Sequence, residues 1–107
     1  MLSMADADRK TGGQVLERTK PKVKQPELFR VMLHNDDYTT MQFVIEVLED
    51  IFNKSPAEAF RIMMHVHTRG HGMCGSYPYE VAETKVSQVH DRAQGAGFPL
   101  RASMEEA

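Results

Sequence analysis

The chain changes its hydrophobic rhythm several times, and each change predicts an element. From Leu28 the run LFRVMLH is short and apolar, bounded by Pro26 and by the cluster Asn35-Asp36-Asp37, as a mostly buried strand requires. The spacing then turns helical: Met41, Val44, Ile45, Leu48, Ile51 and Phe52 fall on one stripe. Thr39 is the expected N-cap of this helix, with Gln42 reaching back to complete a capping box. A second helix begins at Ser55-Pro56-Ala57-Glu58, another capping box, with proline at a position where the missing N–H costs nothing. Ala59, Ile62, Met63 and Val66 form its stripe, and Gly70 is placed to end it. HGMCGSYPY is β-prone and alternating, so it reads as a strand or hairpin arm. Glu80 to about Gln94 is a third helix, with Ala82, Val86, Val89 and Ala93 inward and Gly95 and Gly97 beyond its end. FPLRASM is a last short strand, where Pro99 suggests an edge or bulge position.

The resulting β-α-α-β-α-β order predicts a small α+β domain over residues 26–107, a three-stranded antiparallel sheet with three helices on one side. Residues 1–25 are poor in large apolar side chains and include Gly12-Gly13, so they cannot bury enough surface to offset the entropy of ordering. A flexible N-terminal tail is expected there. At 107 residues there is room for one modest core only.

Charge and composition narrow the partners. No apolar run approaches the roughly 20 residues of a membrane helix, and no secretory signal is apparent. Up to Glu27 six basic residues outweigh four acids, whereas from Leu28 onward seven face eleven. The folded part is therefore mildly acidic, which argues against a nucleic-acid partner. The basic segment RTKPKVKQP reads as a solvated linker. Cys74 stands alone, in keeping with a reducing cytoplasm, and its uncharged neighbours Met73, Gly75 and Tyr77 mark it as buried rather than reactive.

Few residues offer chemistry. His65, His67 and His71 resemble metal ligands, but residues two apart on a helix point about 200° away from each other, so His65 and His67 cannot face one ion. A small metal-dependent enzyme using these histidines with Asp36 and Asp37 stands as the alternative class. There is no Walker loop, nucleophile elbow or dinucleotide fingerprint. Asp36 and Asp37 suit a polar turn before a helix. Met41 and Val44 on the first helix, and Met63, Met64, Val66 and His67 on the second, would line an apolar cleft with polar groups at its rim if the two helices pack as a hairpin.

The run NDDYTTMQFVIEVLEDIF, followed by MMHVHTRG, CG and EVAETKV, closely resembles the ClpS adaptor family of bacteria over about residues 28–103. The resemblance implies a non-enzymatic adaptor without cofactor. It would bind proteins carrying an N-degron, a destabilising N-terminal Leu, Phe, Tyr or Trp, and hand them to the AAA+ unfoldase ClpA with its protease ClpP. A cytoplasmic monomer is expected. By the same resemblance, Asn35, Asp36 and His67 hold the substrate's free α-amino group. Asp37, Thr39, Met41, Val44, Met63, Val66 and Leu100 lie in or around the side-chain pocket, with Met41 as its gate. Glu80 and Lys85 meet the N-terminal domain of the unfoldase. The family usually has proline where this chain has Thr40, a change expected to loosen the turn bearing Met41.

Overall fold

A central strand organises the molecule. In the computed structural model, which describes residues 25–107, β1 (Leu28–His34) pairs antiparallel with β2 (His71–Pro78) on one side and with β3 (Arg101–Glu106) on the other, giving the sheet order β2-β1-β3. The expected tail lies outside the described residues apart from Gln25. Side chains alternate across the sheet: Val31, Leu33 and Ala102 are buried, while Arg30, Met32 and His34 face the other way and keep solvent contact. One face of the sheet is thus covered by the helices α1 (Met41–Asp50), α2 (Pro56–Arg69) and α3 (Tyr79–Ala96). This is the expected α+β arrangement in the expected element order. Register shifts between Val31 and Met32, whose partners are Gly75 and Met73, so Cys74 forms a bulge in β2 and turns its thiol into the core. Burial pushes that thiol's pKa up to about 12, with Lys54 opposing weakly, so Cys74 is inert packing.

Four expected details change. Thr40, not Thr39, caps α1: the helix starts at Met41 and the Thr40 Oγ accepts from Phe43 N–H at 3.1 Å, while the Thr39 hydroxyl donates to Asp36 within the preceding turn. Gln42 closes no capping box, since its amide turns to Glu46 one turn ahead. The inner stripe of α1 is rotated from the one the spacing suggests: Phe43, Val44, Val47 and Leu48 are buried, whereas Met41 is 45% exposed. Phe43 faces inward because Phe98, in the connector to β3, stacks against it with ring centroids 4.9 Å apart. Finally, β3 starts three residues later than expected. Phe98 and Leu100 fill the core from the connector, and Pro99 lies in that connector rather than at a strand edge or bulge.

The ends of α2 agree with their sequence signals. Ser55 accepts from Glu58 N–H with Pro56 in the first turn, and Gly70 closes the helix with φ +94°, a left-handed conformation that an L side chain resists. The third helix runs past Gly95 and stops at Gly97. Arg92 on α3 pairs with Asp50 at the end of α1, at 2.7 Å.

Candidate functional site

The turn after β1 is fixed from inside by Asp36. Its Oδ1 accepts from the N–H groups of Tyr38 (2.8 Å) and Thr39 (2.7 Å), and its Oδ2 accepts from the Thr39 hydroxyl (2.7 Å). Burial raises the carboxyl pKa, but these three hydrogen bonds outweigh it and hold the group below its usual value. Asp36 therefore stays ionised and keeps the turn wound. The adjacent Asp37 is exposed and has no hydrogen-bond or ion-pair partner recorded among the described residues. From the other side, Asn35 N–H donates to the carbonyl of Gly70 at 2.9 Å, tying the end of β1 to the end of α2.

Between this turn and the α1–α2 hairpin lies a cavity of about 230 Å³. Its lining is Asn35, Asp36, Asp37, Thr39, Met41, Val44, Met63, Val66 and His67. The structure thus brings together nine of the ten residues expected at a peptide site. Val44, Met63 and Val66 are buried and make the apolar wall, whereas Asn35, Asp37 and His67 are exposed at the lip. Two carboxylates and no lysine or arginine line the space, so it favours a cation at its mouth and an apolar group within. A cavity of about 150 Å³ with apolar walls accommodates a benzene ring, so this one has room for one large side chain. The wall is drawn close to the sheet at Gly72, where a Cβ would sit 2.8 Å from Val66 Cγ2.

Leu100 is not among the lining residues. It is 4% exposed, in the same buried apolar cluster as Val44, Met63 and Val66. Met64, next to Met63, also packs against the core rather than the cavity. The three histidines separate: His67 is at the cavity lip, while His71 pairs across the sheet with His34. Among the described residues no group of three His, Cys, Asp or Glu is placed to hold a metal ion. Nor is any described helix long and apolar enough to cross a membrane.

Glu80 and Lys85 both lie on α3, where with Val81, Thr84 and Gln88 they edge a surface hollow of about 290 Å³. Glu80 is exposed in the first turn of the helix. Lys85 is half-buried and occupied: its Nζ donates to the Ile51 carbonyl at 2.8 Å and lies 5.8 Å and 5.3 Å from the ring centroids of Phe52 and Tyr77. This internal tie was not legible in the sequence, since Lys85 and Ile51 are 34 positions apart.

Comparison with known proteins gives these features a context. The family model described as ATP-dependent Clp protease adaptor protein ClpS matches residues 24–103. A Clp protease adapter protein ClpS from Maricaulis maris is 55% identical over 101 residues, covering 94% of this chain and 93% of that protein. One from Oleidesulfovibrio alaskensis is 61% identical over 85 residues, covering 79% and 82% respectively. Among solved structures, Agrobacterium tumefaciens ClpS2 bound to L-phenylalaninamide superposes with a TM-score of 0.75 at 38% identity, covering 78% of this chain and all of that one.

Proposed function

The chain belongs to the ClpS family of ATP-dependent Clp protease adaptor proteins, and on that footing we propose that it captures proteins by their first residue and delivers them to the ClpA unfoldase for degradation by ClpP. The residue captured is a bulky hydrophobic one, Leu, Phe, Tyr or Trp, with a free α-amino group. One observation carries the reading: an apolar cavity sized for a single side chain whose mouth is ringed by hydrogen-bond acceptors and carboxylates. The related structure from Agrobacterium tumefaciens holds L-phenylalaninamide, which joins an α-amino group to a phenyl side chain as a substrate's N-terminus does.

The chemistry is a two-part test. An α-ammonium is a compact cation with three donors, and Asn35 and His67, with the carboxylates of Asp36 and Asp37, offer it acceptors. Because the Asp36 oxygens already accept three bonds within the turn, Asp37 supplies the less encumbered charge while Asp36 holds the frame. Val44, Met63 and Val66, part of the buried core that includes Leu100, receive the side chain, and Met41 covers the mouth as its gate. Each charge-assisted hydrogen bond contributes roughly 1.5–3 kcal/mol, and burial of one large apolar side chain a similar amount. Association itself costs at least about 4 kcal/mol, so neither half binds well alone. An internal leucine brings no ammonium, and an acetylated terminus leaves desolvated acceptors unpaired.

No bond is made or broken in this scheme. The chain works in the cytoplasm as a monomer, and the Glu80 surface of α3 meets the N-terminal domain of ClpA. Residues 1–24 serve as the stretch on which the unfoldase pulls during handover. Titrating the intact protein with a labelled Leu-initiated peptide, its Nα-acetylated form and a peptide with Leu second tests the core of the scheme. Tight binding of the first alone is expected, and equal binding of the acetylated form would overturn it.

A further inference from the structure

Met41 is the first residue of α1 and lines the cavity, yet it is 45% exposed, so little packing holds it in place. Its position depends instead on the backbone just before it. Thr40 has φ −74° and ψ 152°, and its Oγ accepts the 3.1 Å bond from Phe43 N–H that closes the first turn. The neighbouring hydroxyl, on Thr39, is held within the preceding turn by its bond to Asp36 Oδ2, one residue short of the cap position. Side chains on a helix tilt towards its N-terminus, so the Met41 side chain leans back over the capped end and towards the cavity mouth. Fraying of that turn would let the backbone of Met41 leave the helix and carry its side chain away from the mouth.

We infer that the Thr40 hydroxyl sets how strictly the cavity selects a first residue, by holding Met41 across the opening. This rests on the reading of the cavity as the pocket for a substrate's first side chain. Thr40 acts here as a positioning residue, since it is not among the cavity-lining residues. A mouth held narrow excludes side chains branched at Cβ, whose bulk sits at the opening rather than beyond it.

The test uses the full chain and peptides identical except for a first residue of Leu, Phe, Ile or Val, with affinities read by fluorescence anisotropy. In Thr40→Ala and the near-isosteric Thr40→Val the preference for Leu over Ile falls about fivefold, the size of effect that loss of one cap permits. Thr40→Ser keeps the acceptor and the preference. Thr40→Pro keeps the preference by another route, its ring holding φ close to the observed value. The methyl NMR signal of Met41 sharpens and shifts towards its free position in the Ala and Val variants but not in Ser. If Ala or Val discriminates as the wild type does, or Ser loses the preference with them, the inference fails while the adaptor reading stands. If the wild type binds none of the peptides, the adaptor reading itself has failed.

Discussion

Asn35 and Gly70 are 35 positions apart in the chain and are joined by a 2.9 Å backbone hydrogen bond, N–H of the first to carbonyl of the second. That bond ties the polar turn to the end of α2, about one helical turn beyond His67, and Asn35 and His67 both line the cavity. Its acceptor needs the left-handed φ of +94° that Gly70 adopts. Gly70→Ala should cost about 1–2 kcal/mol through backbone strain. Gly72→Ala pushes a methyl to 2.8 Å from Val66 Cγ2, at a cost of about 1–3 kcal/mol in overpacking. Urea denaturation reads both. Of the two, Gly72→Ala should lower peptide affinity more, because Val66 is a cavity wall; wild-type affinity there would remove Val66 from that role.

Asp36 separates geometry from charge. Asp36→Ala removes the acceptor of two N–H groups and a hydroxyl and should destabilise by about 1–2 kcal/mol. In Asp36→Asn an amide oxygen still accepts from Tyr38 and Thr39, so the turn survives without the charge. Peptide affinity in Asn should then stay within a few-fold of wild type and fall much further in Asp37→Ala. The folded carboxyl titrates below its ordinary value of 3.8, so its contribution is complete above that pH and is lost as pH falls through the folded value. Acid denaturation below pH 3.8 should accordingly be shallower in the Asn variant.

Lys85 tests whether a position proposed to face the unfoldase is also a brace. Its amine bonds the Ile51 carbonyl near the C-terminus of α1 and rests beside two aromatic rings. Lys85→Met keeps the aliphatic stem but loses the donor, and should lower stability by about 0.5–1.5 kcal/mol. Glu80→Ala, on the exposed surface, should change stability by less than about 0.5 kcal/mol. Thermal melts of both variants beside ClpA-binding measurements separate the two roles. Equal stability in both would mean that the Lys85 tie is weak.

His34 sits on the open face of the sheet, its Nε2 2.7 Å from Ser103 Oγ. Burial lowers its pKa most, followed by Arg101 and His71, with Glu105 opposing them. A base depressed in the fold binds protons more readily when unfolded, so stability is complete above about pH 6.5 and declines as pH falls below it towards the folded pKa. His34→Gln should flatten that decline, which equilibrium denaturation between about pH 5 and 7 measures. An unaltered slope would leave His34 without a part in it.

Much of this protein was written locally. The limits of β1, the cap and proline of α2 and the stop at Gly70 all follow from residues within a few positions of each other, because strand alternation and helix capping are short-range physics. The motifs carrying the family resemblance are likewise contiguous in the sequence. Tertiary structure decided the rest. The inner stripe of α1 turned towards Phe98, and Thr40 rather than Thr39 took the cap position, with Thr39 bound to Asp36 in the turn before it. Lys85 found its partner 34 residues away, and Leu100 joined the buried core rather than the cavity lining. Such choices depend on what packs opposite a side chain once the chain has closed on itself, and neither periodicity nor spacing encodes the neighbour across that gap.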